Sequence, residues 1–183
     1  PCYWRNQQRI DLSEIDPTPE RASTLHFAHD IVVVGTDFYA SGDTPDTSGR
    51  PAACYWRNGV RTDLTGLSGQ GSRGVGLQVL NGEVYVSGTV FSATGAAVPC
   101  YWRNGVLTLL SVPASAQHGG AQFIQVAADG SVSVSGDVWT DWTKTRTMPG
   151  YWLNGTRTEL PVQAGGSGHA YDLVLAGTDV YVA

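Results

Sequence analysis

Apolar and polar residues alternate along this chain in short runs, and the runs come in pairs. Val84-Tyr85-Val86-Ser87-Gly88 follows an apolar run from Leu77 across Asn81-Gly82. Leu107-Thr108-Leu109-Leu110 follows Tyr101-Trp102-Arg103 across Asn104-Gly105. A period of two broken by a tight turn predicts a β-hairpin. Asn-Gly suits a type I′ turn, because both residues tolerate positive φ. No segment shows the 3.6-residue apolar period of a helix.

The pairs themselves repeat. Tyr3-Trp4-Arg5-Asn6, Tyr55-Trp56-Arg57-Asn58, Tyr101-Trp102-Arg103-Asn104 and Tyr151-Trp152-Leu153-Asn154 are copies of one motif, spaced 52, 46 and 50 residues apart. They predict outer hairpins over residues 1–12, 53–64, 99–110 and 149–160. Inner hairpins are predicted over 28–42, 74–88, 122–136 and 170–183. Two hairpins make four strands per repeat, and four strands in about 50 residues is the period of a propeller blade. The fold expected is all-β: a β-propeller of four-stranded blades, four repeats, one domain over residues 1–183.

The order of apolar strand, tight turn, VYVSG strand, long loop and YWRNG hairpin resembles a kelch-type blade. The likeness rests on Val84-Tyr85-Val86-Ser87-Gly88 and Tyr101-Trp102-Arg103-Asn104-Gly105. The paired glycines of that family are here Ser-Gly, and the Trp adjoins the Tyr instead of following the turn. The YWxNG and VYVxG repeats also resemble a type found in bacterial proteins. The resemblance implies a fold and little chemistry, since propellers host many unrelated functions.

The chain opens on an outer hairpin and closes on an inner one, the two halves of a fourth blade. Left alone, each would offer an unpaired edge. Their pairing within one chain would close a four-bladed ring. Their pairing between chains would give a larger, oligomeric propeller. The chain also starts at Pro1, as a processed chain or a piece of a longer propeller would. These readings stay open here.

Topology points to one face. In a four-stranded meander the first and third connections lie on one face, and here they are tight turns. The other connections are long: 13–27, 41–53, 65–73, 87–99, 111–120, 135–149 and 161–168. Binding residues concentrate on varied loops over a rigid scaffold, so any site is expected on the long-loop face.

Five of the tryptophan and histidine side chains matter most. Trp139 and Trp142 belong to no repeat position, and could stack on a sugar or anchor a protein partner. They could equally pack on a neighbouring blade and cap its core. His26, His118 and His169 fall where the chain enters inner strands, near the mouth of the channel. His29 matches none of them. The recurring Tyr3, Trp4, Tyr55, Trp56, Tyr101, Trp102, Tyr151 and Trp152 are expected to pack between blades. Asp30 and Asp172 occupy matching places and are candidates for acid/base work if they converge.

Composition narrows the classes. With 11 Lys and Arg against 16 Asp and Glu the net charge is −5, which cannot neutralise a phosphate backbone, so nucleic acid is not an expected partner. No apolar run approaches the roughly 18 residues of a membrane span. Cys2, Cys54 and Cys100 sit at one repeat position, too far apart to bridge. No metal or cofactor motif is present, and Asn154-Gly155-Thr156, a formal glycosylation sequon, lies in a tight turn. The expected function is non-enzymatic binding or scaffolding on the long-loop face, outside the cytoplasm or at the cell surface, with a protein or carbohydrate ligand and self-association through the end hairpins. The alternatives are a lectin using the loop tryptophans, and a hydrolase or lyase at the channel mouth.

Overall fold

The computed structural model describes residues 1–12, 26–141, 143 and 146–183. Sixteen strands and no helix lie among them. Twelve strands make three four-stranded antiparallel meanders. The first sheet holds β3 (Phe27–Val34), β4 (Asp37–Pro45), β5 (Pro51–Arg57) and β6 (Val60–Asp63). The second holds β7 (Ser72–Leu80), β8 (Glu83–Phe91), β9 (Ala97–Arg103) and β10 (Val106–Leu109). The third holds β11 (His118–Val126), β12 (Val132–Trp139), β13 (Thr147–Leu153) and β14 (Thr156–Glu159). Two further hairpins flank them: β1 (Cys2–Arg5) with β2 (Gln8–Asp11), and β15 (Leu173–Ala176) with β16 (Asp179–Val182).

The turns are the ones that Asn-Gly demands. Asn58 and Gly59 have φ of 51° and 82°, and Asn104 and Gly105 have 49° and 82°. Both central residues are left-handed, which matches the twist of the flanking strands.

The sheets stack in sequence, as blades do. β7 packs on β3, β4 and β5, and β11 packs on β7, β8 and β9. The arrangement is β-propeller-like, with the first strand of the second and third sheets packed on the sheet before it. Tryptophan welds neighbours together. Trp56, Trp102 and Trp152 are fully buried. Trp102 Nε1 donates to the Thr65 carbonyl at 2.7 Å, and Trp152 Nε1 to the Ser111 carbonyl at 2.8 Å. Each acceptor lies at the exit from the preceding sheet. Trp4 departs from the expected packing and is 67 % exposed, because among the described residues no sheet lies before it.

Two more expectations need correction. The connection between the second and third strands of each sheet is mostly strand, not loop. β4 runs on to Pro45, β8 to Phe91 and β12 to Trp139, leaving tips of only a few residues. The pairing of the end hairpins within one chain is not formed either. Among the described residues β1 pairs with β2 alone and β15 with β16 alone, and they close no ring. Each hairpin is instead seated on its own neighbouring sheet: Leu12 beside Ala40, Cys54 and Trp56 at one end, β15 on β11 and β12 at the other.

No helix among the described residues is long and apolar enough to cross a membrane. Cys54 and Cys100 are buried free thiols and Cys2 is half-buried, none of them bridged.

Candidate ligand-binding site

The first strand of each sheet carries one residue too many. β3 pairs Ala28 with Gly42 and then Asp30 with Ser41, so His29 falls outside the ladder. β11 pairs Ala121 with Gly136 and Phe123 with Ser135, leaving out Gln122. β7 breaks register between Gly74 and Leu77, around Val75. A bulge bends its strand and re-aims a side chain. Here three bulges at one repeat position turn His29, Val75 and Gln122 into a single cavity of about 280 Å³.

Arg73, Thr89, Phe91 and Trp139 complete its walls. Phe91 and Trp139 end β8 and β12, so the cavity opens on the face with the longer connections. Three sheets contribute, and the mouth exists only when all three are stacked.

The repeated glycines make the bulges sterically feasible. A Cβ on Gly42 would stand 1.9 Å from the Phe27 carbonyl oxygen, and one on Gly136 would stand 2.1 Å from that of Gly120. The Ser before Gly42 and the Ser before Gly88 brace the same region. Ser41 Oγ donates to the Val75 carbonyl of the next sheet, and Ser87 Oγ accepts from the Gly76 amide at 3.1 Å.

Carboxylates beside the mouth already have partners. His29 Nε2 is hydrogen-bonded to the buried Asp43 carboxylate at 3.1 Å, which steadies the ring at the rim. Thr89 occupies the matching place in the second sheet and Asp137 in the third. Asp137 Oδ2 lies 2.7 Å from His169 Nδ1, while its Oδ1 accepts from the Ala170 amide at 2.9 Å. Asp137 therefore ties the chain leading into β15 to the third sheet. Asp30 accepts from the Ile31 amide at 2.7 Å and the Leu77 amide at 2.9 Å, clasping the first sheet to the second. Asp172 accepts from the Leu173 amide at 2.7 Å. Neither carboxylate is placed for acid/base work.

The candidate residues read from the sequence scatter. Trp139 lines the cavity, but as the buried end of a strand and not as a loop side chain. Its indole stacks on His118, with centroids 6.1 Å apart. His118 Nδ1 in turn accepts from the Ala97 amide at 3.2 Å, so His118 is a prop for Trp139. His169 belongs to the next gap and stacks on Tyr171 at 5.5 Å. His26 is half-buried at the entry to β3 and does not line the cavity. Trp142 lies outside the described residues. Among the described residues no cluster of three His, Cys, Asp or Glu is placed to hold a metal. His29, Arg73 and Gln122 are the site residues that the sequence did not single out. Aligning the inner strands on Ala28, Gly74 and Ala121 puts His29, Val75 and Gln122 in register, the one signal that could have found them.

No family model and no curated protein matches the chain. Among solved structures, a fucose lectin from Kordia zhangzhouensis in complex with methyl-fucoside superposes with a TM-score of 0.49 at 10 % identity. The match covers 72 % of this chain and 96 % of that one.

Proposed function

We propose that this protein is a non-enzymatic binding module that takes a neutral, hydroxyl-rich ligand, a sugar, in the mouth between its sheets. The observation that carries the reading is the convergence of three bulges on one cavity. Its polar groups are a guanidinium (Arg73), a carboxamide (Gln122), a hydroxyl (Thr89) and an imidazole (His29). These can donate to and accept from hydroxyls. Phe91 and the Trp139 ring supply the apolar wall against which a sugar's C–H face packs. Small-ligand sites have this make-up: a mostly apolar concavity with a few convergent polar groups.

A glycan array probed with the 183-residue chain tests the reading. A defined set of bound sugars is expected. Arg73→Ala and Gln122→Ala should each weaken binding about tenfold, the scale of one or two lost hydrogen bonds. Arg50→Ala, which lies off the cavity, should leave it unchanged. A flat array overturns the proposal, and so does sugar binding that both cavity variants retain in full.

A further inference from the structure

We infer that Asn81 is a site of spontaneous modification, where the chain's own backbone converts the side-chain amide to an acid, while the other Asn-Gly turns resist the same reaction.

Asn-Gly pairs stand at Asn58, Asn81, Asn104 and Asn154. The reaction open to each is the same. The glycine amide nitrogen attacks the asparagine Cγ and the Cγ–Nδ2 bond breaks. The glycine amide proton leaves with Nδ2 as ammonia. Water then opens the cyclic imide at either carbonyl, giving aspartate or isoaspartate. No oxidant, metal or enzyme takes part. Glycine favours the attack because no side chain shields its nitrogen.

Backbone and exposure do not tell these turns apart. The φ values of Asn58, Asn81, Asn104 and Asn154 are 51°, 52°, 49° and 49°, and those of the glycines that follow are 82°, 80°, 82° and 85°. Each of these asparagines is exposed.

The carboxamides do differ. Asn58 Oδ1 accepts from the Phe38 amide at 3.0 Å, and its Nδ2 donates to Asp37 at 2.7 Å. Asn104 is anchored at both atoms as well, by the Val84 amide at 2.9 Å and by Glu83 at 3.4 Å. In the third sheet Ser131 stands in the place of the acid, and Asn154 keeps the bond from the Val132 amide alone, at 2.9 Å. The Asn81 carboxamide has no hydrogen-bond partner among the described residues.

Sheet topology is the cause. Asn58, Asn104 and Asn154 prolong the third strand of their sheets, and the second strand runs alongside to receive them. Their main-chain amides donate to the carbonyls of Phe38 at 3.0 Å, Val84 at 2.8 Å and Val132 at 2.8 Å. Asn81 prolongs β7, the first strand of the second sheet, which has β8 on one side and no strand of its sheet on the other. Nothing runs beside the turn to hold its carboxamide.

To react, Cγ must swing to within about 3–3.5 Å of the glycine nitrogen. An anchored carboxamide must first release its partners. Each bond released slows the reaction about fivefold, the equilibrium worth of one net hydrogen bond. Cavity residues take no part, and no ligand is needed.

The test is peptide mapping by mass spectrometry of the full chain aged in mildly alkaline buffer, with isoaspartate told from aspartate by its fragmentation. Asn81 is expected to convert first, Asn154 about fivefold more slowly, and Asn58 and Asn104 about twentyfold more slowly. Ageing in concentrated urea, where the anchors are gone, should bring the rates close together. Glu83→Ala, which takes one anchor from Asn104, should raise the Asn104 rate about fivefold, to that of Asn154. Failure of Asn81 to convert, or conversion no faster than at Asn104, overturns the proposal. So does the same order of rates in urea, which would place its cause in the neighbouring residues and not in the fold.

Discussion

Gly88 lies so close to Arg73 that a Cβ on the glycine would stand 2.0 Å from the Arg73 carbonyl oxygen and 3.1 Å from the Trp102 ring. Neither neighbour can yield: one is backbone in a ladder, the other a buried indole. Gly88→Ala should cost about 3 kcal/mol, the upper range for overpacking. Urea unfolding reads this directly. A loss under about 0.5 kcal/mol, the level of an ordinary surface change, would contradict the close approach.

The buried thiols make the protein alkali-sensitive. Burial pushes the Cys54 thiol up to about 12 and the Cys100 thiol well above its ordinary value. In the unfolded chain both lose their protons near pH 8.5. The folded state therefore holds more protons over this window, and its stability falls as pH rises. The slope is about 1.4 kcal/mol per pH unit for each thiol, starting near pH 8.5, and for Cys54 it continues to about pH 12. Unfolding curves at pH 8 and 10 should show the loss, and the pair Cys54→Ala with Cys100→Ala should lessen it. In the native state a thiol reagent should label the half-buried Cys2 alone.

Acid works in the opposite sense where Glu83 meets Arg103. Hydrogen bonds from Arg103, then from the Tyr85 hydroxyl, hold the Glu83 carboxyl below the usual range. A depressed carboxylate stabilises the fold above its unfolded value of about 4.3, and that contribution is lost as pH falls below it. Urea midpoints taken at pH 7 and pH 3 should therefore differ less in Arg103→Leu than in the wild type. An equal drop in both would show that the pair is not linked to folding.

One turn breaks the Asn-Gly rule. Gln7 follows Asn6 with φ of 69°, where the other copies place glycine. A left-handed residue with a Cβ costs about 1–2 kcal/mol, and glycine's extra entropy in the unfolded chain returns part of this. Gln7→Gly should stabilise by about 0.5–1 kcal/mol, read as a rise in Tm. A fall in Tm would mean that the Gln7 side chain contributes more than its strain costs.

The hairpins were legible because their causes are local. Period-two alternation and Asn-Gly turns act over a few residues and need no neighbour. The same holds for the count of strands and for the antiparallel meanders at Tyr55-Trp56 and Val84-Tyr85. The bulges were not legible. One extra residue at His29 or Gln122 changes no composition and shows only when two strands are laid side by side. Trp139 looked like a loop residue because the motif had ended, yet the ladder runs on through it.

Sequence alone determined which segments are strands, how they turn and that they repeat. Only the tertiary structure decided what each repeat position meets. Trp4 and Trp102 sit in the same four-residue motif, yet Trp4 is 67 % exposed and Trp102 is wholly buried. A strand's pattern is written in its own residues. Burial and the shape of a binding mouth depend on the surfaces packed against it, and those are set by stacking and by which edges stay open.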